Sequence, residues 1–168
     1  MFQASTKKLL LVLIFSISSV LVAEDYQPGK HYQVLSEPIA TRDSKKIEVI
    51  EFFWFGCGHC YSLENQLNSW EKKLSADVDF WRSPITWNEM AKTHAKLFYA
   101  AEFFKKPDII ASTFVSIHAN QRMMTSEREL EPFFASYGIA QDQYQSLFNS
   151  FAMQNKIRRA DTLSLIHI

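Results

Sequence analysis

The chain has 168 residues, of which 47% are hydrophobic and 21% are charged, and its formal net charge at neutral pH is zero. This length suits one domain with its own core, and the composition excludes disordered, collagen-like and low-complexity proteins. The equal numbers of basic and acidic residues give no electrostatic reason to expect binding to nucleic acid or to an anionic membrane surface.

The first 23 residues have the pattern of a secretory signal peptide. Lys7 and Lys8 form a positive n-region, an apolar stretch follows over 9–22, and Ala23 is small enough for a cleavage site. A membrane-spanning helix needs about 20 apolar residues, so the shorter stretch favours cleavage over an uncleaved anchor. We therefore predict export into an oxidising compartment, where disulfides persist.

The segments after the signal peptide predict a parallel βαβ unit. Residues 31–35 predict a short strand, and the β-branched and aromatic run over 47–55 predicts a longer one that is buried on both faces. Residues 57–74 predict an amphipathic helix, with one apolar face formed by Leu63, Leu67, Trp70 and Leu74. Residues 78–82 predict a second strand that ends before Pro84, which completes the unit.

The pattern turns helical from Asn88 to about Asp161. One helix ends before Pro107, which can start the next helix. Residues 126–129 match a capping box, but Pro132 favours a helix start nearer Glu131. We expect the helical block to be an insertion within the same domain.

The end of this helical block is predicted to be a single long helix. Gly138 is a suitable stop for the helix before it. The apolar positions of the last helix are Tyr144, Leu147, Phe148 and Phe151.

Both cysteines lie in the run Gly56-Cys57-Gly58-His59-Cys60-Tyr61, directly after the longer predicted strand. The first sulfur then lies at a helix N-terminus, where N–H groups and the helix dipole stabilise a thiolate. Half a zinc site, two inert buried thiols and a structural disulfide are the alternatives. Zinc needs further ligands and there are no other cysteines, while a two-residue loop gains little stability from closure. Thiol–disulfide exchange is therefore favoured.

Position assigns roles within this motif. Cys57 is the exposed, low-pKa thiol, and Cys60, one helical turn later, resolves mixed disulfides. A protonated His59 would favour the Cys57 thiolate and make the disulfide more oxidising, or His59 is simply a solvated turn residue. No metal and no cofactor beyond the redox-active disulfide is expected.

Other candidate residues admit two interpretations. Glu51 interrupts the apolar strand and is either a buried carboxyl that exchanges protons with Cys60 or an outward-facing strand residue. His94 and His118 are expected to be packing or surface residues and not catalysts. We expect Phe55 in the core, and Trp54 either fills the core or offers an apolar surface to substrate.

The run from Glu51 to Tyr61 resembles the periplasmic thiol:disulfide interchange proteins of the DsbA type, through the pattern E-F-F-x-F-x-C-x-H-C-Y. Weaker similarity continues through 137–139 and 144–151. The resemblance implies an α/β, thioredoxin-like fold over 24–161 with a helical insertion at about 88–156. It also implies donation of disulfides to reduced exported proteins and reoxidation by a DsbB-type membrane partner. We separately expect a monomer. Glu51 matches the family's buried acid, which implies a proton shuttle.

The chain departs from this family in two respects. Gly58-His59 replaces the usual Pro-His and resembles protein disulfide isomerases, so a milder oxidant, an isomerase or a reductase are alternatives. The family continues into a cis-proline loop that binds substrate, two strands and a final helix. Here 162–168 looks like an atypical, non-native tail. We therefore expect the final strands and C-terminal helix to be missing, with an exposed sheet edge, and a non-catalytic fragment is a third alternative.

Overall fold

The computed structural model describes residues 25–167, without the side chains of 166 and 167, and the predicted signal peptide lies outside the described residues. The chain divides into two compact units, Met1–Glu37 and Pro38–Ile168. In the described part of the first unit, the prediction of a strand over 31–35 is wrong. Its backbone closes a local turn instead, with one bridge between Pro28 and Tyr32.

The second unit contains the predicted βαβ arrangement. Strand β1 (Ile47–Phe53), helix α1 (Gly58–Glu71) and strand β2 (Val78–Pro84) follow one another, and the two strands pair in parallel. Strand β1 ends two residues earlier than predicted because a turn begins at Trp54, whose carbonyl accepts the N–H of Cys57 at 2.9 Å. Pro84 closes β2 at the strand end, where a missing N–H is tolerated.

The buried face of α1 differs from the predicted one. Leu63 and Trp70, two members of the predicted apolar stripe, are 43% and 41% exposed, whereas Glu64 is buried. Glu64 lies one turn after Cys60, so both residues point to the same side of the helix. Glu64 pairs with Arg82 on β2, and this ion pair explains why a glutamate can be buried at this position of α1.

Five helices follow the sheet in the described part of the chain. They are α2 (Glu89–Phe103), α3 (Asp108–His118), α4 (Glu127–Ala135), α5 (Gln141–Phe148) and α6 (Phe151–His167). No helix among the described residues is long and apolar enough to cross a membrane.

Two predicted boundaries in this block are wrong. Helix α4 begins at Glu127 and includes Pro132, because the Glu129 carboxylate accepts the N–H groups of Met123, Thr125 and Ser126 at 3.0–3.3 Å. These bonds anchor the first turn and offset the one backbone bond that proline removes.

The last long helix is in fact two helices, α5 and α6. The Asn149 amide donates to the carbonyl of Gln145 at 2.9 Å, and the Ser150 hydroxyl accepts the N–H of Met153 at 3.1 Å. One helix therefore ends and the next begins at this pair. Phe151 is 72% exposed, so it does not continue the apolar face, and α6 runs on through the predicted tail to His167.

Aromatic packing fixes the end of β1 against the helices. Phe53 contacts Phe98 of α2, and Phe55 contacts Phe114 of α3, with ring centroids 5.3 and 4.8 Å apart. Phe55 is fully buried, as predicted from the sequence. The residues that lead into the Cys57 turn are therefore held in place by buried aromatic contacts with α2 and α3.

Candidate active site

Cys57 is the N-cap of α1. Its backbone is extended (φ −85°, ψ 114°), and its Sγ accepts the N–H of Cys60 at 3.3 Å. Both cysteines are free thiols and half-buried. The strand, turn and helix start predicted from the sequence therefore place the first sulfur at the helix N-terminus.

The surroundings of Cys57 stabilise its thiolate. Burial of the sulfur raises the pKa of Cys57, but hydrogen bonds from the Cys60 thiol and from the N–H groups of Cys60 and His59 outweigh it. The pKa of Cys57 is therefore lower than that of an ordinary cysteine. The thiolate is the form of cysteine that attacks disulfides, so the lowered pKa makes Cys57 more reactive than an ordinary cysteine.

Cys60 has the opposite character. Burial, together with the hydrogen bond that its thiol donates to Cys57, raises the pKa of Cys60 to about 11. Cys60 is therefore protonated at neutral pH, and its proton must leave before it can act as a nucleophile. The attacking role of Cys57 and the resolving role of Cys60 stay predictions, and this difference in pKa is what those roles require.

His59 is exposed on the first turn of α1. Its backbone N–H is one of the donors that lower the pKa of Cys57. The electronic role predicted for its imidazole ring stays a prediction.

Glu51 matches neither of the two interpretations completely. Its side chain is only 13% exposed, so it does not point into solvent, and it is paired with the Nε of Arg82. Burial raises the pKa of Glu51, opposed by Arg82 and reinforced by the charge of Glu64. The charge of Glu51 in turn disfavours both thiolates: it opposes the lowering of the Cys57 pKa and adds to the rise of the Cys60 pKa, so the carboxyl is electrostatically coupled to the redox pair.

Arg82 and Glu64 are site residues that the sequence reasoning missed. Arg82 lies opposite Glu51 in the parallel register, and its guanidinium also binds both carboxylate oxygens of Glu64. The guanidinium lies 4.3 Å from the ring centroid of Phe53, so one cation serves two carboxylates beside an aromatic face. The signal in the sequence that could have revealed this network is Arg82 itself, the lone arginine in the second predicted strand.

Similarity to known proteins agrees with this geometry. No protein-family model matches the chain. The thiol:disulfide interchange protein DsbA of Pseudomonas aeruginosa is 31% identical over 166 residues, which are 96% of this chain and 79% of the relative. DsbA of Burkholderia cepacia is 30% identical over 164 residues, which are 94% of this chain and 77% of the relative. The crystal structure of Pseudomonas aeruginosa DsbA matches with a TM-score of 0.77 and 34% identity, covering 85% of this chain and 75% of that one.

The chain belongs to the DsbA family of thiol:disulfide interchange proteins. It is a protein thiol-disulfide oxidoreductase with the mixed α/β, thioredoxin-like fold of DsbA. The resemblance carried by residues 51–61 is confirmed.

In this DsbA-family chain two histidines, one on α2 and one on α3, contact the residues that precede Cys57. His94 is 1% exposed, donates from Nε2 to the carbonyl of Met123 at 2.8 Å, and stacks on Trp54. The Nε2 of His118 lies 2.8 Å from the carbonyl of Phe55. Both were predicted to be packing or surface residues, and packing is what the structure shows, but against the segment that immediately precedes Cys57.

Trp54 was predicted either to fill the core or to offer an apolar surface to substrate, and the structure shows it in a packing role. Its indole is half-buried and packs against Gly56, so that the ring occupies the space where a Cβ at position 56 would lie. This side chain supports the turn before Cys57.

Proposed function

We propose that this protein oxidises reduced, newly exported proteins by transferring the Cys57–Cys60 disulfide to them. A substrate thiolate attacks Cys57 and breaks the disulfide, and Cys60 leaves as a thiolate that takes up a proton. A second substrate thiolate then attacks the substrate sulfur of the mixed disulfide and releases Cys57 as a thiolate. The substrate gains a disulfide, the enzyme is left with two reduced cysteines, and no separate cofactor is needed.

The observation that carries this proposal is the stabilised thiolate of Cys57. Its hydrogen bonds with Cys60 and His59 exist in the reduced form and favour that form over the disulfide. A redox pair whose reduced form is stabilised is a better oxidant. Export to the periplasm, a monomeric state and reoxidation by a DsbB-type membrane partner complete the proposal, and they rest on family membership and on the predicted signal peptide.

The redox potential tests the direction of transfer. Equilibration of the mature chain with glutathione should give a potential clearly less negative than the about −270 mV of thioredoxin. A potential close to that of thioredoxin would contradict the oxidant proposal and favour a reductase. An intermediate value would fit the isomerase-like Gly58-His59 dipeptide.

We further propose that Glu51 accepts the proton of Cys60 when Cys60 acts as a nucleophile. The proposal is supported by the partly buried position of Glu51, by its raised pKa, and by its coupling to the thiol of Cys60, whose pKa is about 11. A carboxyl with a raised pKa is better matched to take a proton near neutral pH than an ordinary glutamate.

The variant Glu51→Gln separates proton transfer from simple electrostatics. Loss of the negative charge should lower the pKa of Cys60, whereas loss of the base should slow the attack of Cys60 on a mixed disulfide at Cys57, the reverse of the first oxidation step, by about a hundredfold. Stopped-flow measurement of this step at neutral pH reports the rate. Glu64→Gln is the matched control because it alters the same ion-pair network and leaves Glu51 in place. A Glu51→Gln rate equal to that of the control would contradict the shuttle.

A further inference from the structure

The four residues from Trp54 to Cys57 form a β-turn that delivers the nucleophile to the helix. The N–H of Cys57 donates to the carbonyl of Trp54 at 2.9 Å, which places Phe55 and Gly56 at the two central positions. Gly56 does not have a positive φ, and this excludes a type II turn and fits type I. The two types differ mainly by a flip of the central peptide, here the one between Phe55 and Gly56.

Glycine at the third position of a turn ordinarily favours the type II form. Here the glycine is required for another reason, because the Trp54 indole occupies the space where a Cβ would lie. Gly56 is therefore required by packing, but because it has no Cβ it can also adopt the positive φ of a type II turn. Sterics alone do not prevent the peptide flip. Something else must hold the central peptide in the type I orientation.

His118 supplies that contact. Its Nε2 lies 2.8 Å from the carbonyl oxygen of Phe55, and because a carbonyl only accepts, this nitrogen must carry the proton. The flipped peptide would turn the carbonyl away from the ring and leave its donor without this bond. The hydrogen bond is therefore specific for one of the two turn types.

The ring of His118 is itself held in place. It stacks on Tyr61, the residue directly after Cys60, with ring centroids 4.8 Å apart and an interplanar angle of 7°. Phe114, one turn earlier on α3, lies against both rings. One side chain of the helical block thus touches the segment before Cys57 and the segment after Cys60.

We propose that His118 is a positioning residue that holds the Phe55–Gly56 peptide in one orientation and so fixes the sulfur of Cys57 at the helix N-terminus. The inference deepens the proposed function and rests on it for its consequence in catalysis. If the turn flips, Cys57 loses its alignment with the N–H groups of His59 and Cys60, and its thiolate loses stabilisation.

Two substitutions separate the hydrogen bond from the ring. His118→Phe keeps an aromatic ring against Tyr61 but has no donor, whereas His118→Gln keeps an N–H donor without the stacked ring. His118→Phe should reduce the acid dissociation constant of Cys57 and the equilibrium constant for oxidising glutathione by about three- to tenfold, as expected for one lost hydrogen bond. His118→Gln should stay within about twofold of the wild type. Val115→Ala, at an exposed position of the same helix, controls for a general weakening of α3.

The pattern across these variants decides the proposal. Thiolate absorbance against pH gives the Cys57 titration, and thermal unfolding of each variant monitors stability. Unchanged titration in His118→Phe, or equal shifts in both His118 variants, would overturn the role of the donor. A failure of the oxidant proposal would instead appear in the wild-type potential, whatever the variants do.

A measurement on the unmodified chain guards against variants that do not fold. Nitrogen NMR of labelled histidine should show His118 with its proton on Nε2. A proton held on Nδ1 alone would overturn the proposal, because that tautomer cannot donate to the carbonyl of Phe55.

Discussion

The variant Cys60→Ser should stop at a mixed disulfide between Cys57 and a disulfide-bonded peptide. The Cys57 thiolate attacks one peptide sulfur and releases the other as a thiol, but no second enzyme thiol is left to break the new bond. The rate at which the variant completes thiol–disulfide exchange with the peptide should fall to the uncatalysed background. Mass spectrometry of the unreduced protein would detect one covalently bound peptide per chain.

The opposite variant measures how far the two sulfurs differ. In Cys57→Ser the remaining thiol is half-buried, and burial is the largest of the causes that raise the pKa of Cys60. We expect it to form the adduct at least about a hundredfold more slowly at neutral pH, since little of it is thiolate. Equal adduct rates for the two single-cysteine variants would contradict the assigned roles.

A third variant tests the hydrogen bond between the sulfurs. The serine hydroxyl of Cys60→Ser can still donate to the sulfur of Cys57, whereas Cys60→Ala cannot. The thiol of Cys60 is the strongest of the donors that lower the pKa of Cys57. The pKa of Cys57 should therefore be higher in the alanine variant than in the serine variant. Identical titrations would show that the backbone N–H groups suffice.

The sequence predicted those parts of the site that depend on local pattern. A β-branched and aromatic run followed by glycines and cysteines predicts a strand, a turn and a helix start, and these place Cys57 correctly because all three are contiguous. Helix boundaries failed where side chains cap the backbone. Glu129 lets α4 begin at Glu127, five residues before Pro132, and Ser150 caps the start of α6. Such bonds depend on side-chain direction, which hydrophobic periodicity does not contain.

The charged network and the histidines could not be predicted for a different reason. Glu64 was overlooked because the leucine spacing of α1 indicated a different buried face, and its partner Arg82 is fixed only by the strand register. His94 and His118 come from helices far along the chain, and their contacts with Trp54 and Phe55 require the packing of those helices against β1. These are contacts between distant segments, for which a single sequence gives no pairing information.

Removal of Arg82 should cause the largest loss of stability of any single change in this network. The side chains of Arg82, Glu51 and Glu64 are only 11–13% exposed, so Arg82→Met leaves two nearly buried carboxylates without a cation. Breaking such a pair from one side costs about 3 kcal/mol in the free energy of unfolding. Urea unfolding in reducing buffer would measure it. Arg42→Met is the matched control, because the Arg42 side chain that pairs with Asp79 is 45% exposed, and we expect a loss of about 0.5 kcal/mol or less.

The pH dependence and a compensated variant identify the cause of this loss. The pKa of Glu51 is raised by burial and opposed by Arg82, so loss of Arg82 raises it further. A carboxyl whose folded pKa is raised favours the fold below its unfolded pKa and weakens it as the pH rises. The deficit of Arg82→Met should therefore shrink as the pH falls towards the ordinary glutamate value of 4.5. It should also nearly vanish when Glu51→Gln and Glu64→Gln are added, because no buried charge then lacks a partner. A deficit that is independent of pH and survives in the triple variant would indicate lost packing against Phe53 and not uncompensated charge.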